Sequence, residues 1–354
     1  MLQVLFHAWE RRLAASTTNR VVRPFEWGLE WMPDQIRSNG ASTSPSEVLN
    51  AWVSEVMRDT DAFFTPPATD DFLLGPASDE GERLLTFPSA LHTPHPENNT
   101  VYARIFAPKQ AAVVNGAARH RAAVVVLPQW NSDATGHVGL SKLLAMNGLT
   151  AARLSLPYHD RRMPPELERA DYIVSANVTR TLQVCRQAVL DARRTVHWLH
   201  AQGYDRIGIL GSSLGSCLSL LTTAHEPLIR AQALNHISPY FADVVWRGLS
   251  TAHVREGLEG HIDLERLREL WRPISPSWHL ERLRDRKTLL VYAHYDLTFP
   301  VDLSRELVRQ FRERRIPFEL ATLRCGHYTS GKAPFKFIDG WILSRFLRQA
   351  LLDA

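Results

Sequence analysis

Ser213 sits between two glycines in Gly211-Ser212-Ser213-Leu214-Gly215, directly after the apolar run Ile207-Gly208-Ile209-Leu210. A serine hydroxyl is a weak nucleophile until the backbone presents it to a base and to amide donors. A sharp strand-to-helix turn does both, and glycines two before and two after the serine keep the neighbouring backbone clear. Ser213 would then open a helix, where unpaired N–H groups and the helix dipole favour developing negative charge. A serine so placed needs a carboxylate and then a histidine further along the chain. The segment from Lys287 to Asp296 reads as a buried strand ending in an aspartate, and the strand from Phe318 to Leu323 runs into Arg324-Cys325-Gly326-His327. All three residues therefore fall at strand ends, where open α/β sheets place their sites. The chemistry would be acyl transfer: Ser213 attacks a carbonyl, His327 takes its proton and passes it to the leaving group, and Asp296 fixes the imidazole and steadies its cation. The tetrahedral oxyanion needs two amide donors. Leu214 should supply one, and Trp130, with Gln129 as the alternative, the other, from the loop Pro128-Gln129-Trp130-Asn131-Ser132.

Other polar residues compete for roles. Tyr158-His159-Asp160-Arg161-Arg162 follows a strand end and should lie near the mouth of the site. Tyr158, His159 and Arg161 are candidates for binding substrate, since a guanidinium fork suits carboxylate or phosphate. An ion-pair network that orders the loop explains the same residues equally well. Asp302 is a second candidate acid but falls inside a helical pattern. His294-x-Asp296 resembles half a metal site, yet no third ligand follows at suitable spacing, so neither a metal nor a cofactor is called for. Cys325 reads as a core residue rather than a nucleophile.

The elements that must position these groups alternate strand and helix, which predicts an α/β fold: a mostly parallel, doubly wound sheet. Arg83 to Phe87 and Thr100 to Phe106 read as an antiparallel edge pair, and Ala122 to Leu127 as a fully buried strand. Asn177 to His200 carries a sustained apolar stripe at helical spacing. Residues 1–81 read as a helical extension packed on the core, with helices near Val4–Leu13 and Ser46–Phe64 and a turn-rich connector through Pro76. Its Trp27 and Trp31 suit either packing on the body or a weak contact with a membrane surface. The hydrolase-like unit spans 82–354, and from about 240 to 286 the alternation breaks. Trp246 and Trp271 in that insertion are candidates to line an apolar substrate pocket.

On these residues the chain resembles the α/β-hydrolase superfamily over roughly 82–354. The carriers are Gly211-x-Ser213-x-Gly215, the strand-end Asp296 with Pro300 four residues on, and Gly326-His327 after the last strand. Leu156-Pro157-Tyr158-His159-Asp160-Arg161-Arg162 and the tail after His327 are also similar to the α/β-hydrolase-domain-containing group 18 and its bacterial relatives. The resemblance implies the fold named above, a serine-hydrolase activity and a lid-like role for the insertion. The loop at 128–132 departs from the glycine-rich versions common in the superfamily, which leaves the second oxyanion donor open.

Composition limits the alternatives. The chain has 354 residues, 45% of them hydrophobic, and a formal charge of +4 from 41 basic and 37 acidic side chains. That balance, without a basic stripe, argues against a nucleic-acid partner. Arg193-Arg194 and Arg312-Glu313-Arg314-Arg315 read as solvated helix faces. Cys185, Cys217 and Cys325 read as free thiols in a reducing compartment, and the N-terminus has the wrong order of charge and apolarity for a secretory signal, so a cytoplasmic location is expected. The expected function is a serine hydrolase acting on a carboxylic ester with a lipid-like acyl group. An acyltransferase or a thioesterase would share the same residues. A hydrolase fold used only for binding would show an unreactive serine.

Overall fold

The computed structural model describes residues 2–34, 44–109 and 121–353. Nine strands form one sheet: β1 Leu73–Ala77, β2 Arg83–Pro88, β3 Thr100–Phe106, β4 Ala122–Leu127, β5 Thr150–Leu154, β6 Arg206–Ser212, β7 Ile229–Asn235, β8 Lys287–Ala293 and β9 Glu319–Leu323. Their spatial order is β1-β2-β3-β5-β4-β6-β7-β8-β9. From β5 to β9 all neighbours are parallel, while β1, β2 and β3 join at one edge as antiparallel neighbours. The β4–β5 inversion in this order makes β4 and β6 central. Both faces of β4 are covered, which is why its sequence Ala-Ala-Val-Val-Val-Leu carries no polar alternation. Ala123, Val125 and Leu127 point into one core cluster and Ala122, Val124 and Val126 into the other.

Helices 138–146 and 335–352 cover the second of these faces. On the first lie helices 178–201, 214–225 and 301–313. The extension and the insertion add to this layer, and here the structure corrects several expectations. Leu73–Ala77, within the expected connector, is a strand paired antiparallel with β2; its glycine and proline are tolerated because it is the sheet edge. The sheet thus begins before residue 82. The expected single helix over Ser46–Phe64 breaks at Asp59, whose carboxylate caps the second piece by accepting from the Ala62 N–H at 2.9 Å. Leu49, Val53 and Phe64 are fully buried in the main core, so the extension is part of it. Trp27 and Trp31 pack against the same core, and their carbonyls accept from Thr179 and Gln183 of the long helix.

Helix 178–201 is consequently buried on more than one stripe. Arg193 pairs with Glu226 at 3.1 Å and Arg194 donates to the carbonyls of Pro67 and Pro88, so this arginine pair is buried rather than solvated. The insertion contributes helices Phe241–Arg247, Ala252–Leu258 and Leu264–Leu270. Trp271 is fully buried beside the start of the long helix, its indole N–H donating to the Val178 carbonyl at 3.0 Å. Among the described residues no helix is long and apolar enough to cross a membrane.

Candidate active site

Ser213 follows β6 directly and precedes helix Leu214–His225. Its backbone lies at φ 56°, ψ −121°, a strained conformation for a side chain with a Cβ. Contacts on both sides hold it there. The Ser213 N–H donates to the Asn235 carbonyl at 2.8 Å, and Ser216 Oγ lies 2.6 Å from the Ser213 carbonyl and 2.9 Å from that of His236. Glycine is obligatory at 215: a Cβ there would stand 2.1 Å from the Leu127 carbonyl oxygen. The turn thus wedges the helix start against the end of β4.

The three residues predicted to act together meet. His327 Nε2 lies 3.0 Å from Ser213 Oγ, and His327 Nδ1 lies 2.9 Å from Asp296 Oδ2. Asp296 is buried, and its Oδ1 accepts from the Thr298 and Phe299 N–H groups at 2.8 and 2.7 Å. Phe299 also stacks on the His327 ring at 5.4 Å between centroids. Asp302, the other candidate acid, sits in an exposed ion pair with Arg247.

A residue that sequence reasoning missed stands beside them. His236, just past β7 and at φ 57°, directs Nδ1 to Asp296 Oδ2 at 3.0 Å. Its Nε2 lies 3.2 Å from Ser330 Oγ, and that hydroxyl donates to the His327 carbonyl at 2.7 Å. Its Nδ1 faces the Asp296 carboxylate, a partner that favours a positive charge on the ring. Burial opposes that charge, but the hydrogen bond and charge of Asp296 outweigh it and raise the His236 pKa above its ordinary value. Burial likewise pushes the Asp296 pKa up, and the two imidazoles together reverse this and hold it well below the carboxylate range. The position of His236, at the end of the strand between those bearing Ser213 and Asp296, was the available signal. His236, Asp296 and His327 also bring ligand-type atoms within 4.8 Å of one another, but both Nδ1 atoms already face the carboxylate.

The histidine loop is fixed from the far end of the chain. Glu10, fully buried on helix Leu2–Ala15, accepts from the Tyr328 and Thr329 N–H groups at 2.9 and 2.8 Å. A carboxylate is favoured at such unpaired first-turn amides. Cys325 beside it is buried, which pushes its thiol up to about 12.

For the oxyanion, the Leu214 amide lies in the first turn of its helix and has no partner within it. Among the described residues the backbone N–H groups of Gln129 and Trp130 donate to no protein acceptor, whereas Asn131 N–H donates to His159 Nε2 at 2.9 Å. Leu214, Gln129 and Trp130 all line one cavity with Ser213 and His327. His159 is therefore a support of this loop rather than a cavity residue; burial lowers its pKa to about 4, leaving Nε2 free to accept.

The cavity has a volume of about 750 Å³. From the insertion Phe241, Val244, Val245 and Thr251 form one wall, so part of it does border the site. Trp246 and Trp271 do not: the former lies outside the cavity with Arg255 over its ring, and the latter is core. Tyr158 and Arg161 also lie off the cavity. Tyr158 is buried against His95 Nδ1 at 3.0 Å, with burial raising its pKa to about 12, and Arg161 is exposed beside Tyr102. Arg162 in the same segment is fully buried and paired with Asp191 at 2.9 Å, so the cluster is an ion-pair network that orders the loop.

Sheet order, strained serine turn and strand-end acid and histidine together are those of the α/β-hydrolase fold, and this chain has it. No protein-family model matches the chain, and no curated protein does. Among solved structures it is similar to an acetyl xylan esterase from Paenibacillus sp. R4, at TM-score 0.60 and 13% identity over 90% of this chain and 100% of that one. It is also similar to an acylaminoacyl peptidase from Pyrococcus horikoshii, at TM-score 0.59 and 14% identity over 80% of this chain, but it spans only 42% of that protein. A Mycobacterium tuberculosis puromycin-hydrolyzing peptidase is matched at TM-score 0.60 and 16% identity, over 78% of this chain and 40% of that one.

Proposed function

We propose that the protein is a serine hydrolase that cleaves a carboxylic ester through an acyl-enzyme on Ser213. The observation that carries this is the continuous path Ser213 Oγ to His327 Nε2 to Asp296 Oδ2, at 3.0 and 2.9 Å, on the wall of a roomy cavity. His327 removes the Ser213 proton as Oγ bonds to the acyl carbon. The negative charge that develops on the carbonyl oxygen meets the Leu214 N–H and that of Trp130 or Gln129. His327 then hands its proton to the departing alkoxide, and a water activated by the same imidazole releases the acid. Asp296, kept ionised by its surroundings, stabilises the imidazolium in both steps. Phe241, Val244 and Val245 favour a moderately apolar acyl group. The three buried free thiols support a reducing compartment such as the cytoplasm.

The test is a fluorophosphonate probe on wild type and Ser213→Ala, beside nitrophenyl esters of increasing chain length. Labelling and turnover should vanish together in the variant. A well-folded wild type that is neither labelled nor active would remove the hydrolase reading and leave a binding role for the fold.

A further inference from the structure

One corner of the cavity is electrically unbalanced. Arg20, from the segment after the first helix, and Arg169, from the loop beyond β5, both line the cavity that holds Ser213. Arg20 Nη2 donates to Tyr328 Oη at 3.2 Å, one residue past His327; its Nε is buried and has no acceptor. Among the described residues Arg20 forms no ion pair. The Arg169 side chain is 10% exposed, with Nε 3.6 Å from Asp171 Oδ1 and the guanidinium 5.5 Å from the centre of the Trp130 ring. Asp171 is already bonded through Oδ2 to Arg23 at 3.2 Å. Two guanidinium groups thus share one carboxylate, and among the described residues Arg20 has none. Glu10, the acid near Tyr328, is occupied by two backbone amides.

A second observation is independent of that charge count. His253 stacks on the other partner of this corner, Trp130, at 5.8 Å and 4° between planes, and is buried with neither ring nitrogen bonded. Buried donors are normally satisfied, so the unpartnered Nε atoms of Arg20 and Arg169, both on the cavity wall, point to a missing acceptor, although His253 itself is not a lining residue. Burial lowers the His253 pKa to about 4, with Arg169 and Arg20 adding to the effect, so the ring is neutral and the positive charge belongs to the arginines. Guanidinium forks match planar carboxylate and tetrahedral phosphate alike.

We propose that this corner receives an anionic group, a carboxylate or a phosphate monoester, carried by the ester that Ser213 attacks. The inference rests on the hydrolase reading above and narrows it. The Tyr328 and Trp130 contacts put the two arginines beside the histidine loop and the loop of Gln129 and Trp130 respectively, so the anion would lie next to these two loops.

The experiment compares p-nitrophenyl hemisuccinate with p-nitrophenyl butyrate, esters of one leaving group that differ in a terminal carboxylate. Wild type should favour the hemisuccinate in kcat/KM by about tenfold or more, the scale of one charge-assisted hydrogen bond. Arg20→Met and Arg169→Met should each erase most of that ratio, and Arg20→Lys should retain more of it than Arg20→Met. Inorganic phosphate and succinate are then titrated against butyrate turnover: stronger inhibition by phosphate assigns a phosphate, stronger inhibition by succinate a carboxylate. A ratio near one in wild type, a ratio unchanged in Arg20→Met, or inhibition by neither anion overturns the proposal. Fluorophosphonate labelling in the same samples keeps the two readings apart. Labelled protein with no charge preference loses the anion site alone, and unlabelled folded protein loses the hydrolase reading.

Discussion

Replacing Gly215 by alanine tests whether the contact between the nucleophile helix and β4 sets the oxyanion site. An added Cβ would stand 2.1 Å from the Leu127 carbonyl oxygen and 2.6 Å from that of Pro128, both backbone atoms that no rotamer change can move. Ordinary contact requires well over 3 Å, so the helix start and the strand end must separate by more than an ångström. In the proposed mechanism Leu214, next to the substitution, carries one oxyanion amide, and the loop of Gln129 and Trp130, just beyond Leu127, carries the other. The separation therefore opens the gap between the two donors. A hydrogen bond stretched this far is largely lost, and one such donor is commonly worth about 2.7–4 kcal/mol of barrier. At 1.36 kcal/mol for each factor of ten, kcat should fall about 100- to 1,000-fold. Ser213 and His327 themselves need not move apart. The assay is burst-phase and steady-state hydrolysis of a nitrophenyl ester, with thermal unfolding of the same samples. A Gly215→Ala protein with wild-type kcat and wild-type Tm would refute the argument, because it would mean that the wedge does not hold the donors.

Three further expectations follow from the same geometry. Asp296→Asn should lower kcat by about 10⁴-fold, since an amide neither steadies the imidazolium nor fixes the tautomer; single-turnover kinetics of purified variant measures it. His236, with its pKa raised in the folded protein, contributes stability that is complete below its unfolded value of about 6.5 and is lost as pH rises through the folded value. The Tm of wild type should therefore decline across that alkaline interval, and His236→Gln should lack this part of the decline; a pH series by calorimetry decides. Trp271→Ala, which empties a fully buried site and leaves the Val178 carbonyl without its donor, should cost about 3–5 kcal/mol in urea unfolding while its folded fraction still labels at Ser213.

The meeting of Ser213, Asp296 and His327 could be read from the sequence because each is announced locally, by a glycine-flanked turn or by the end of a β-rich run. The parallel sheet was equally legible, since strands covered on both faces, such as β4, carry uninterrupted apolar side chains. What escaped depends on distant partners. His236 gains its position only once β7 lies between β6 and β8, and the arginines of segment 158–162 suit a ligand or an ion pair equally until Asp191 is placed beside Arg162. Trp271 looked like a pocket residue because aromatic character does not say which cavity it fills. β1 was hidden by Gly75 and Pro76, whose usual meaning is a turn and which only an edge strand accommodates.

The bonds from Glu10 to Tyr328 and Thr329 join positions 318 and 319 residues apart, almost the whole span of the chain. Helices and the central strands can form from nearer neighbours, whereas this junction needs residue 10 and residues 328–329 to find each other. The support of the segment carrying His327 is therefore a contact that closes a very long loop. Holding the base thus carries a larger chain-entropy cost than the locally built serine turn.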